Sequence, residues 1–160
     1  MSSSSPPYAE HIGQLDPVAV LRTSLDDYHA RIPRLSAAEW ARPWAPGKWT
    51  IAQIIVHVTQ WEMIMGLRVR CGVAAPDFTL QPLDQDELMR VEGEVVSGPT
   101  AFDAFDAVRR MNIQFAESLT PEQRRKRVMH PERGPTDVEQ LLVTLAGHGV
   151  HHFQQIASIE

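Results

Sequence analysis

The sequence predicts an all-α protein, a four-helix bundle with a long crossover between helices 2 and 3. Three observations predict it. Four long segments repeat apolar residues at helical spacing. No segment shows convincing strand alternation, and no internal repeat is visible. Residues 72–99, which hold Pro76, Pro82 and Pro99, read as one long connection. A bundle with one long crossover accommodates all three.

The elements follow in order. MSSSSPPYAE has no basic start and no apolar stretch, so it is not a signal peptide. Residues 1–12 read as a disordered Ser/Pro-rich tail and residues 13–160 as a single domain. The first helix spans about Asp16 to Arg31, with Asp16 as N-cap and Pro17 at the first helical position. Val18, Leu21, Leu25, Tyr28 and Ile32 form its apolar face, and Pro33 ends it. Ser36 to Trp40 has the length of a short helix, and Trp44 to Trp49 reads as a turn packed by its aromatic rings. The second long helix spans about Thr50 to Arg70 with Thr50 as N-cap, and it is apolar nearly all round, hence central. The third spans about Thr100 to Leu119. His130 to Pro135 reads as a loop. The fourth spans Asp137 to about Ile159, with Thr136 and Glu139 in a capping-box pattern.

Composition bounds the function. The chain has 160 residues, 43% hydrophobic and 22% charged, and carries a formal net charge of -5. The pI of about 5.8 argues against nucleic acid as the partner, because phosphate binding needs a concentrated basic surface. The run Arg124-Arg125-Lys126-Arg127 reads as a solvated loop or helix end. Cys71 is the only cysteine, so no internal disulfide forms and a reducing compartment is expected. No apolar run approaches the ~18 residues of a membrane span. The expected setting is the cytoplasm, with a small molecule as partner.

Chemistry concentrates in Gly147 to Ile156, GHGVHHFQQI. At about 100° per residue, His148 and His152 share a stripe with Leu141, Leu145 and Ile159, and also with Thr144 and Gln155. His151 falls on the polar arc and points to the rim or to water. Leu142, Ala146, Gly149, Val150, Phe153 and Ala157 form a second apolar arc that suits a close helix neighbour or a partner subunit. Histidines at i and i+4 can converge on one ion, although a lone buried histidine is more often a hydrogen-bonded core residue. The best third ligand is His57, in the apolar run Ile54 to Val58, where an imidazole must find a partner. His29, among Asp26, Asp27 and Arg31, reads as solvated. His11 lies in the tail and His130 in a polar loop. Glu62 lies about 140° around the helix from His57, a poor ligand and better suited to a salt bridge, an interface or an outer role. Three neutral imidazoles on two helices suit Zn²⁺, Ni²⁺, Fe²⁺ or Cu²⁺ and leave coordination positions open, as a catalytic site requires.

Pro46 to His57 (PGKWTIAQIIVH) and, about ninety residues later, His148 to Ile156 (HGVHHFQQI) resemble the DinB-like metal-dependent superfamily. His130-Pro-Glu-Arg-Gly134 and Gln81 to Glu87 resemble its bacillithiol transferase-like branch. The resemblance runs from about Trp40 to Ile159. It implies a four-helix bundle with an unusual connection order, often dimeric, holding nickel or zinc on His57, His148 and His152. Several relatives transfer a low-molecular-weight thiol or use one in isomerisation, which implies a thiolate attacking an electrophilic substrate. Arg68 matches an arginine of the branch and lies about 20° from His57 on the helix, where it suits a ligand carboxylate or an ordinary surface ion pair. Gln155 suits a hydrogen bond to a ligand imidazole, or a buried polar position satisfied elsewhere. Val56 and Trp61-Glu62 depart from the branch, which usually has histidines there. Cys71 reads as a small helix-end residue, since no base lies nearby in sequence. Three functions stay open: a thiol-transferring enzyme, a metal-dependent hydrolase, and a non-catalytic metal-binding dimer.

Overall fold

Helix starts are set by side-chain caps. The computed structural model describes residues 5–159. Asp16 accepts from the Ala19 N–H at 3.0 Å and starts α1, Pro17–Arg31. Ser36 and Glu39 form a reciprocal box at α2, Ala37–Trp40, as Thr50 and Gln53 do at α3, Ile51–Ala74. Each such cap satisfies backbone N–H groups that the first helical turn leaves unpaired. After β1, Phe78–Thr79, come α4, Gln85–Glu92, and α5, Gly98–Glu117. Then follow α6, Pro121–Arg124, the strands β2, Arg127–His130, and β3, Gly134–Asp137, and finally α7, Val138–Ala157.

The four long helices are α1, α3, α5 and α7. Helix α3 packs on α5 and α7, and α1 packs on the same two from the other side. Leu21, Tyr28, Ile51, Ile54, Ile55, Phe105, Leu142, Leu145 and Ile156 meet in the core, each at most 1% exposed. Truncating one of these large aliphatic side chains to alanine costs about 2–5 kcal/mol, because the cavity only partly collapses. Leu142, Ala146 and Gly149 of the second apolar arc of α7 are buried within the chain. Tyr28 Oη donates to the Gly149 carbonyl at 2.9 Å, tying α1 to α7. Gly149 lacks the Cβ that would stand 2.6 Å from Arg109 Nη2. A guanidinium from α5 therefore lies against the α7 backbone.

Several details differ from the sequence reading. The crossover is not a bare loop: it holds β1 and α4, with Asp84 capping α4 through the Asp86 and Glu87 N–H groups. Gln60 of α3 donates to Glu92 at 2.8 Å and holds α4 in place. Three short strands exist: β1 pairs parallel to β2, and β2 antiparallel to β3, with Val128 opposite Thr136. At two to four residues they are too short to show alternation. The His130–Pro135 stretch is mainly the turn of this hairpin, with Gly134 at φ +81°. Helix α3 runs four residues past Arg70, so Cys71 is helical and half-buried. Asp137, not Thr136, caps α7 through Gln140 N at 2.8 Å. Thr136 donates instead to Gln140 Oε1, and Glu139 pairs with Arg124. Arg124 also reaches Asp16, so one member of the basic run is tied to the body. Residues 8–12, expected in the tail, are ordered on α7: Ala9–His11 form a 3-10 turn and Ile12 is 4% exposed. Residues 1–4 of that tail lie outside the described residues. Among the described residues no helix is long and apolar enough to cross a membrane.

Candidate metal centre

Helices α3 and α7 bring three histidines together. His57, near the start of α3, and His148 and His152, one turn apart on α7, are 1%, 2% and 5% exposed. One ring nitrogen from each lies within 4.8 Å of the other two. Ring centroids are 4.4 to 4.9 Å apart. The structure thus unites the three predicted ligands and leaves the other histidines outside. His29 sits 2.8 Å from Asp106. His130 Nδ1 accepts from the Glu132 and Arg133 N–H groups and shapes the hairpin turn. His151 turns to the rim, half-buried, with Nδ1 3.2 Å from His11 Nε2.

The donor set fits a divalent ion. His152 Nδ1 is 2.8 Å from Gln155 Oε1, an acceptor, so Nδ1 carries the proton and Nε2 carries the lone pair. That Nε2 is buried and has no hydrogen-bond partner. A buried unpaired acceptor costs about 1–3 kcal/mol, and an ion removes that cost. His57 and His148 place their Nε2 atoms 3.0 Å apart. Nitrogens bound tetrahedrally at about 2.0–2.1 Å stand about 3.3 Å from each other, close to this spacing. Burial also sets the charge. Desolvation first, then neighbouring histidines, lowers His57 to about 4 and His148 well below its ordinary value. Desolvation and then His57 lower His152 to about 3, against an opposing pull from Gln155. All three imidazoles are therefore neutral at pH 7 and offer lone pairs, as ligation requires.

Aromatic rings wall the cluster. Trp61, one turn after His57, stacks on His148 at 5.0 Å and 26°. Trp49 lies 4.9 Å from His57, and Tyr8 meets His148 edge-on at 5.2 Å. The Trp61 indole N–H is buried without a partner. The i, i+4 spacing from His57 could have marked Trp61 in the sequence, whereas nothing near Tyr8 marks it. Arg68 lies 5.9 Å over the Trp61 ring and donates to the Gln81 carbonyl at 2.5 Å. Its guanidinium pairs with no carboxylate among the described residues. Glu62 faces away from the histidines, 2.6 Å from Arg109 Nη2 and 3.0 Å from Asn112 Nδ2. Both partners of that ion pair are buried, at 1% and 0% exposure. Of the roles open to Glu62, the structure gives it the salt bridge.

Fold and cluster together define a class: a helical bundle with a buried three-histidine centre between two of its long helices. The chain belongs to the DinB superfamily, whose family model matches residues 21–156. Relatives from Bacillus mycoides (strain KBAB4) and Bacillus cereus (strain B4264) bear the name "Putative metal-dependent hydrolase". Each is 24% identical over 117 residues, covering 73% of this chain and 68% of its own length. Among solved structures, YfiT from Bacillus subtilis, described as a probable metal-dependent hydrolase with an unusual four-helix bundle topology, superposes with a TM-score of 0.80. It is 16% identical, and the match covers 88% of this chain and 82% of YfiT. A mycothiol-dependent maleylpyruvate isomerase superposes with a TM-score of 0.73 at 11% identity, over 89% of this chain and 60% of that one. The likeness to YfiT confirms the predicted bundle.

Proposed function

We propose that the protein is a metal-dependent enzyme that transfers a low-molecular-weight thiol to an electrophilic small molecule. His57, His148 and His152 hold the ion, nickel or zinc. The observation that carries the reading is the lone pair of His152 Nε2, buried and unpartnered beside two other neutral imidazoles. A divalent ion bound there supplies Lewis acidity, which favours the ionised form of a thiol at neutral pH.

The chain's own residues do the rest. Gln155 fixes the His152 tautomer by accepting from Nδ1. Trp49, Trp61 and Tyr8 exclude water and provide apolar walls for a substrate. Arg68, which lies over the Trp61 ring and pairs with no carboxylate among the described residues, is the group we assign to hold a carboxylate of the thiol or the substrate. In the transfer the thiol sulfur forms a bond to the electrophilic carbon. The leaving group departs with its bonding electron pair, and the thiol proton passes to solvent. Among the described residues no carboxylate joins the histidine cluster, and Glu62 is committed to Arg109, which favours thiol transfer over a hydrolysis that relies on a carboxylate base. Hydrolysis is the second reading, favoured by the names of the relatives from Bacillus. Either chemistry could be run by a dimer.

The test is metal content followed by paired assays. Protein purified without a His-tag is expected to hold about one nickel or zinc ion per chain, absent from His57→Ala. The loaded protein should accelerate conjugation of small thiols to a haloaromatic or bimane electrophile, and His57→Ala should not. Ester or amide cleavage without conjugation would select hydrolysis. A chain that takes up no ion, even after addition, would refute both.

A further inference from the structure

The aromatic walls of the histidine cluster come from two different sources. Trp49 and Trp61 lie within the part of the chain that the family model matches, residues 21–156. Tyr8 lies outside it, in an N-terminal segment that the sequence marks only as polar and Pro-rich. Yet this segment is seated closely. The Tyr8 carbonyl oxygen would be 2.2 Å from a Cβ at position 147, so only glycine admits it there. Ile12 is buried in the core at 4% exposure. His11 Nε2 lies 3.2 Å from His151 Nδ1, on the rim of α7. Tyr8 itself adopts φ +62°, ψ 9°, the left-handed region, which a non-glycine residue keeps only where the surroundings enforce it. The ring held this way touches two histidines of α7, His148 at 5.2 Å and His151 at 5.3 Å.

We propose that residues 6–12 form a strap that closes one side of the histidine cluster, with Tyr8 as a positioning residue for His148. Gly147 is the seat of the strap, Ile12 its anchor and the His11–His151 contact its fastening. Trp61 and Tyr8 then confine the His148 ring, one by stacking and one edge-on. An ion or a small ligand reaching the cluster from this side must displace the strap. The device builds on the proposed metal site but does not depend on it, because the contacts exist among the protein's own atoms.

The test is carbethoxylation of the full-length, metal-free protein by diethyl pyrocarbonate, with each histidine followed by mass spectrometry. Gly147→Ala is the sharpest variant. Alanine is favoured over glycine within a helix, so α7 is not weakened, while the new methyl group collides with the strap. Tyr8→Gly leaves α7 untouched, suits the left-handed backbone and removes the ring. Tyr8→Phe keeps the ring. His148 is expected to react at least tenfold faster in Gly147→Ala and Tyr8→Gly than in the native chain, and at the native rate in Tyr8→Phe, with helix content unchanged by circular dichroism. Should Gly147→Ala lose helix content, Tyr8→Gly decides alone. Native reactivity of His148 in Tyr8→Gly overturns the strap. In metal-loaded protein the same two variants should release the ion to a chelator at least tenfold faster. Accelerated carbethoxylation in the two variants, with a native chain that binds no ion, would refute the metal reading and keep the strap.

Discussion

Replacing His152 by leucine should separate metal binding from stability, because the two respond with opposite signs. In the metal-free protein the His152 Nε2 is a buried acceptor with no partner. Leaving such a group unpaired costs about 1–3 kcal/mol, and an apolar side chain of similar size removes that cost. Leucine gives up the Nδ1 hydrogen bond, but Gln155 is half-buried and can turn to water. The metal-free variant should therefore match the native chain or exceed it by up to about 2 kcal/mol in urea unfolding. Metal addition tells the opposite story. An ion at a thousand times its Kd stabilises the native state by about 4 kcal/mol. Removing one of three ligands should cost about 3 kcal/mol of binding, more than a hundredfold in Kd. Unfolding followed in chelator and in excess nickel or zinc gives both quantities. The reasoning fails if His152→Leu destabilises the metal-free protein by more than about 2 kcal/mol, or if it keeps the native metal-induced shift. The first result would make the imidazole a structural core residue; the second would place the ion elsewhere.

Three further predictions concern its neighbours. Gln155→Ala should raise the metal Kd about 10–100-fold by freeing the His152 tautomer, whereas His151→Ala should leave metal content at the native level; equal losses measured by elemental analysis would mean the rim and inward faces of α7 are misassigned. Glu62→Ala leaves the Arg109 charge buried and unpaired and should cost about 3–5 kcal/mol in urea unfolding, a loss that Glu62→Ala with Arg109→Met should largely restore; a single-variant cost below about 1 kcal/mol would show that the Arg109 charge reaches water. The metal-free protein should also weaken in acid. His57 and His152 titrate in the folded state at about 4 and about 3, below the ordinary value of 6.5, so as pH falls the unfolded chain takes up protons first. The stability present at neutral pH should fall by about 4 kcal/mol between pH 7.5 and 5 for the two together, and a flat urea midpoint across that range would show that their surroundings are wet.

Chain periodicity was enough to find the four long helices, because each carries a buried stripe several turns long. It also sorted the histidines: an inward angle separated His148 and His152 from His151, and an apolar run singled out His57. What stayed hidden rests on contacts between distant segments. The α4 helix was within reach, since Asp84 with Asp86, Glu87 and Arg90 reads as a cap, an acidic first turn and a basic last turn, but the prolines around it dominated. Strands of two to four residues have too few positions to alternate. The tie of Glu62 to Arg109 joins residues far apart in sequence, and nothing around Arg109 marks it as buried. Tyr8 sits in a stretch whose serines and prolines suggest disorder, while its order comes from Gly147 and Ile12.

The core next to the histidine cluster treats charge in two different ways, and the contrast explains why these histidines stay available. Glu62 and Arg109 are as deeply buried as the imidazoles, yet each finds a partner of opposite sign in the other. Asn112 adds a hydrogen bond to the carboxylate, and Ser24 and the Leu21 carbonyl accept from the guanidinium at 2.9 and 3.2 Å. That network consumes the one carboxylate which α3 buries close to His57 in sequence. The imidazoles have no such counter-charge. Among the described residues no buried carboxylate lies beside them, and protonation is opposed by desolvation and by each other. A carboxylate turned toward them would raise their proton affinity and set a proton against the ion at each lone pair. Holding Glu62 on Arg109 therefore does more than bind α3 to α5: it leaves three neutral imidazoles whose lone pairs suit a cation.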